Sequence, residues 1–207
     1  MAPLNQNIPP PAQAKGSDPP TDGELVAAVL AGDRERFQPL VERYQGAIFG
    51  YLYRLLNQNA DAAQDLTQEV FLKAYQALAS YDAARPLAPW LYRIAHNEAA
   101  NRLRAQRRHP EVRLEPHGWD RLAADAEDSP EAQNAAAQER EAVRRALGEI
   151  KPKYRQALTL YYYEDKGYRE IAEIMAVPAA TVATLIRRGR RQLAKRLERM
   201  GAAPGAG

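Results

Sequence analysis

Residues 168–199 read YREIAEIMAVPAATVATLIRRGRRQLAKRLER. A first helix passes through Ile171, Ala172 and Met175 and breaks at Val177-Pro178, because proline disfavours helical backbone in the residue before it and suits a helix start itself. The second helix is expected from near Thr181. Val182, Ile186, Gly189 and Leu193 recur at spacings of four, three and four. One stripe is therefore apolar or small, while Thr181, Thr184, Arg187, Arg188 and Arg191 face elsewhere. The stretch holds eight basic residues against three acidic, a local net of +5, whereas the whole chain nets +3. The pattern is that of a helix-turn-helix whose second helix presents cations to nucleic acid. A basic helix face is often also the mark of an ordinary solvated helix. The rest of the chain has to decide between them.

With 207 residues the chain can bury one or two small cores, and two are expected. The absence of Cys excludes disulfides and thiolate metal sites and suits a reducing compartment. No apolar run approaches the roughly 20 residues of a membrane helix, and the first residues lack a secretory apolar segment. The protein is expected to be soluble and cytoplasmic, with no membrane insertion. Helix formers dominate, Gly and Pro gather at breaks and no period-two strand stands out, so the predicted fold class is all-α.

Residues 1–21 carry six prolines and almost no large apolar residue, which predicts a disordered tail. A short helix is expected over 24–31, closed by Gly32, with Asp33 capping the next helix. That next helix puts Phe37, Leu40, Val41, Tyr44, Ile48, Tyr51, Leu52 and Leu55 on one stripe, and Pro39 argues for a start near Gln38. A further amphipathic helix over 61–79, DAAQDLTQEVFLKAYQALA, turns Leu66, Val70, Ala74 and Leu78 inward and leaves Asp65, Gln68, Glu69 and Lys73 on its polar face. Three readings of that face stay open: a solvated surface with a Glu69–Lys73 pair, carboxylates Asp61, Asp65 and Glu69 around a metal, or a protein-docking surface.

Residues 80–89, SYDAARPLAP, read as a loop, after which Trp90 opens the helix WLYRIAHNEAANRLRAQRR. Its apolar stripe, Leu91, Ile94, Ala95 and Leu103, leaves Arg93, Asn97, Asn101, Arg102 and Arg104 outside. Trp90 and Tyr92 beside these cations are either stacking platforms for bases or ordinary core aromatics. From 109 to 141 the character changes, with nine acidic residues against three basic. An acidic interdomain linker is expected over 109–137, in which His109 and His117 are bystanders, not a metal pair. Helix is predicted to return from about Gln138, Pro152 to open another helix, and 201–207 to fray. This gives two helical units, 22–108 and 138–200, joined by the linker.

The order of these pieces resembles the extracytoplasmic-function (ECF) type of bacterial sigma-70 factors, over roughly 22–199. DLTQEVFLKAY at 65–75 is similar to that family's region 2.2, which implies that Asp65, Gln68, Glu69 and Lys73 hold the β′ clamp helices of RNA polymerase. Residues 80–108, with PWLYRIAHNEAANRLR, resemble regions 2.3 and 2.4. Tyr81, Arg85, Trp90, Arg93, Asn97, Asn101 and Arg104 would then melt and read the minus-ten element. Residues 150–193 are similar to region 4, which implies docking on the β flap and reading of the minus-thirty-five element by Tyr168, Thr181, Thr184, Arg187, Arg188 and Arg191. The chain departs from the pattern at Ala183, Thr184 and Leu185, where the family often has Lys, Ser and Arg, and at Ala176, where Gly is common. Leu185 is expected to join Ile186 in the core. The resemblance implies a promoter-specificity subunit that initiates transcription, without enzymatic activity, cofactor or metal, and monomeric when free. Its partners would be core RNA polymerase, promoter DNA and, as a candidate, an anti-sigma factor. The acidic linker would imitate a nucleic-acid backbone inside the polymerase or serve as a plain spacer. A free-standing helix-turn-helix regulator would account for 168–199 but would leave 65–75 without a purpose.

Overall fold

The computed structural model describes residues 19–108 and 130–201, and every described element is helical. The histidine pair His109 and His117, the acidic residues of 109–129 and most of both tails lie outside the described residues.

Helix α1 (Asp22–Leu30) begins two residues before the expected start because Thr21 and Glu24 form a capping box. The Thr21 amide and hydroxyl both donate to Glu24 Oε2 at 2.8 Å, and the Glu24 amide donates back to Thr21 Oγ1 at 3.3 Å. Thr21, assigned to the tail by composition, is therefore the N-cap of α1. Asp33 does not cap the following helix as expected. Its carboxylate takes Arg36 at 3.3 Å within a 3-10 turn (Arg34–Arg36) that leads into α2 (Phe37–Leu55). Pro39 falls in the first turn of α2, where a missing amide proton costs nothing. The inward stripe is as read: Leu40, Ile48, Tyr51, Leu52 and Leu55 are buried.

Helix α3 (Ala60–Ala77) is capped by Asn59, whose Oδ1 accepts the Ala62 amide at 2.8 Å. It buries Leu66, Val70, Phe71 and Ala74 against α2 and α4. Helix α4 (Leu87–Arg108) starts three residues earlier than the expected Trp90. Pro89 occupies its first turn, so it belongs to the helix instead of ending the loop.

Helix α5 (Pro130–Glu149) begins eight residues before Gln138, inside the stretch assigned to the linker. Helix α6 (Pro152–Tyr162) opens on Pro152 as expected. Helices α7 (Tyr168–Met175) and α8 (Ala179–Arg199) form the helix-turn-helix. Ala176 bends the chain between them in left-handed backbone, φ 52°, ψ 47°. Gly189 lets α8 approach α6 closely: a Cβ there would lie 3.1 Å from Leu158 and 3.3 Å from Tyr154. Leu185 is buried beside Ile186, as expected for the departure at that position.

The two units pack together. Helix α4 lies on α7 and α2 on α6, and one cluster of buried apolar side chains runs unbroken from Leu25 to Ile186. Among the described residues no helix is long and apolar enough to cross a membrane.

Candidate nucleic-acid interface

The polar face of α3 is open to solvent. Asp65, Gln68 and Glu69 are exposed, and the apolar Leu72 beside them is 59% exposed. The Glu69–Lys73 pair of the solvated-surface reading does not form. Lys73 reaches across to α4 and meets Glu98 at 2.5 Å, where the carboxylate is largely sheltered by the helix interface. Lys73 thus ties α3 to α4, and the free part of the face is acidic with one apolar residue.

Helix α4 places Trp90, Arg93, Asn97, Asn101 and Arg104 along one stripe, since spacings of three and four return to the same side of a helix. Arg93, Asn97, Asn101 and Arg104 are exposed, and Arg104 donates to Asn101 Oδ1 at 2.5 Å. Trp90 is half-buried at the head of the stripe, its ring 5.3 Å from that of Tyr81. The loop before it is shaped from within: the Tyr81 hydroxyl donates to the Arg85 carbonyl, and Asp82 holds Arg85 at 3.4 Å. Tyr81, Arg85 and Trp90, spread over ten residues, therefore form one surface.

Tyr92 is a core aromatic. Its ring meets Tyr51 edge-on at 5.4 Å, and its hydroxyl donates to Glu164 at 2.5 Å. One turn later His96 is also buried, with Nδ1 3.3 Å from the Tyr51 hydroxyl. Burial lowers its pKa to about 4, so the imidazole is neutral near pH 7. Sequence reading did not single out His96. Its spacing of four from Tyr92 on an inward flank was the available signal.

Helix α8 carries the second stripe. Thr181 and Thr184 are half-buried near its start, and Arg187, Arg188 and Arg191 are exposed. The Thr184 hydroxyl donates to the Ala180 carbonyl at 3.4 Å. Among the described residues these three arginines make no ion pair, so their charge is unneutralised along one side. Tyr168, packed on Tyr161 at 5.5 Å, borders a shallow pocket with Ala183, Ile186, Arg187 and Arg190. Arg190 is thus an additional cation beside Tyr168 that the face count omitted.

Two stripes on separate helices, exposed Arg and Asn on α4 and half-buried Thr with exposed Arg on α8, are suited to holding phosphates and base edges, and the acidic α3 face to meeting a protein. The family model for Sigma-70 region 2 matches residues 40–109, and that for Sigma-70 region 4 matches 140–193. The chain belongs to the ECF sigma factors of the sigma-70 family. Among its relatives, the RNA polymerase sigma-H factor of Pseudomonas aeruginosa is 36% identical over 183 residues, 86% of this chain and 94% of that one. The ECF RNA polymerase sigma factor SigW of Bacillus subtilis is 32% identical over 178 residues, 83% and 94% of the two chains. In fold, the sigma factor is similar to CnrH in complex with the cytosolic domain of CnrY, with a TM-score of 0.60, 23% identity and coverage of 86% and 97%. It is likewise similar to RpoE in complex with the anti-sigma factor NepR from Bartonella quintana, with a TM-score of 0.60, 21% identity and coverage of 78% and 96%. Region 2 of the sigma factor thus holds the α3 face and the α4 stripe, and region 4 holds the α8 stripe.

Proposed function

We propose that this sigma factor is the promoter-specificity subunit of a bacterial RNA polymerase and acts in the cytoplasm. Region 2 docks on the β′ clamp helices through Asp65, Gln68 and Glu69, with Lys73 bracing the face against Glu98 of α4. The surface of Tyr81, Arg85 and Trp90 takes an extruded base of the minus-ten element, and Arg93, Asn97, Asn101 and Arg104 follow the strand beyond it. In region 4, Thr181 and Thr184 near the start of α8 read base edges of the minus-thirty-five element, and Arg187, Arg188 and Arg191 hold phosphates, with Tyr168 beside them. The observation that carries the reading is the pair of exposed polar and basic stripes on α4 and α8, one in each family region. An anti-sigma factor is the further partner that fits this reading, because RpoE, a sigma factor of the same fold, is described in complex with the anti-sigma factor NepR.

Run-off transcription with purified core polymerase tests it. The expected result is a transcript that requires the sigma factor together with both promoter elements, and that is lost on double reversal of Asp65 and Glu69. Binding to promoter DNA alone, with no transcript when core is added, favours a free-standing regulator instead.

A further inference from the structure

Helices α3 and α4 each carry one charge of the wrong sign for their surface. In α3 the charged residues are Asp61, Asp65, Glu69 and Lys73, so a single cation sits among three carboxylates. In α4 Glu98 is the only acidic residue against five arginines. These two exceptions meet each other. Lys73 Nζ lies 2.5 Å from Glu98 Oε2, with the lysine side chain 48% exposed and the glutamate 14%.

Each had a nearer choice. Lys73 stands four residues after Glu69, and Glu98 four residues before Arg102, spacings that bring opposite charges together on one helix. Acid before base is the favoured order, and both local pairs have it. Neither local pair forms among the described residues; the pair across the helix boundary takes both charges. Glu98 is largely shielded from water, so an opposite charge touching it counts for more than one at the open surface.

The outcome is a separation of signs. With Lys73 occupied, Glu69 keeps its charge for the exposed α3 face beside Asp65. With Glu98 occupied, Arg102 is not drawn to a carboxylate on its own helix. A bare Glu98 would stand within one helical turn of Asn97 and Asn101, about 5.4 Å of rise. That is inside the roughly 8 Å over which charges act at physiological salt, so it would repel a phosphate on the stripe. We propose that Lys73 and Glu98 form a mutual charge guard. Lys73 screens the α4 stripe from Glu98, and Glu98 withholds Lys73 from the acidic docking face. The inference rests on the polymerase-docking and promoter-reading roles proposed above, and it makes both residues positioning residues that touch neither partner. Removing either member therefore damages the surface on the other helix.

Two affinities of the full chain test this. One is fluorescence titration with core polymerase. The other, at saturating core, is the anisotropy of a labelled non-template strand across the minus-ten element of the run-off promoter. Lys73→Met is expected to weaken strand binding by about two- to fivefold, the scale of one exposed charge interaction, with core affinity not reduced. Glu98→Gln is expected to do the reverse, because the freed Lys73 falls back on Glu69. The double variant, Lys73→Met with Glu98→Gln, is expected to recover both affinities although it has no ion pair. The strand loss in Lys73→Met should shrink at higher salt, where a bare carboxylate is screened. If thermal melting shows that Lys73→Met unfolds, Lys73→Gln carries the same cycle. Losses of both affinities in each single variant, not recovered in the double, would make the pair a plain brace and overturn the guard. A core-affinity loss in Lys73→Met that Glu98→Gln does not relieve would make Lys73 a direct polymerase contact and overturn it equally, as would unchanged affinities throughout. A wild type that fails to bind core polymerase or the strand overturns the reading of that surface, and the guard with it. A wild type that binds both while the crossed pattern fails overturns the guard alone.

Discussion

Helices α4 and α8 carry the same kind of surface on different foundations. The inner side of α8 is apolar and small: Val182, Leu185, Ile186 and the closely packed Gly189. The inner side of α4 includes Tyr92 and His96, each with a polar atom matched to a partner outside α4: Glu164 in the turn after α6, and Tyr51 on α2. An apolar back is specified by the helix's own sequence, whereas a polar back is specified by what meets it. The first kind is sensitive to volume and the second to protonation.

Acid is expected to separate them most. His96 has a folded pKa of about 4 against an ordinary value near 6.5, so between those values the unfolded chain binds the extra proton. Its contribution is therefore fully present above about pH 6.5 and is lost as pH falls, by about 3 kcal/mol once pH is below 4. Denaturation across pH 4–7 should show this loss, and His96→Gln should flatten the curve relative to the wild type. Parallel curves for the two proteins would dissolve the contrast with α8.

Volume is the next lever. Gly189→Val forces new methyl groups against Leu158 and Tyr154 and is expected to destabilise the fold by about 2 kcal/mol, read as a shift in the urea midpoint. An unchanged midpoint would mean that α8 is not held by close approach. A smaller effect, about 1 kcal/mol in binding, is expected from Arg191→Ala: weaker affinity across promoters and a salt slope reduced by about one. A loss confined to one promoter would make Arg191 a base reader. Smallest, Ala176→Gly should stabilise the helix-turn-helix by about 0.5–1 kcal/mol, because Ala176 sits in left-handed backbone where Cβ is crowded. A lower melting temperature would show that its methyl group contributes more than its conformation costs.

What the sequence made legible follows the same division. Pro178 marked the helix-turn-helix break, and periodicity found the inner stripes of α2, α3 and α8, because these are local properties. The start of α4 was misplaced since Pro89 reads equally well as the end of a loop or the first turn of a helix. The start of α1 was missed because the Thr21–Glu24 box lies against a Pro-rich tail. The i,i+4 rule offers Glu69 to Lys73 as one reading of the α3 face, yet Glu98 on the neighbouring helix takes it. His96, Arg155 and Glu164 are not legible from the sequence, because a buried polar residue is recognised only once its partner is known. The α4 and α8 stripes were readable as exposed polar faces. That Tyr92 leaves the α4 stripe for the core depends on Glu164, 72 residues on.

The Arg155–Leu55 hydrogen bond also sets a schedule for synthesis, for its ends are 100 residues apart. At about 5–20 residues per second, the ribosome exposes the α2 surface roughly 5–20 s before α6 can cover it. During that interval the nascent amino-terminal half presents its unfinished flank to whatever is nearby, so chaperone capture is most advantageous while α5 and α6 are still being translated.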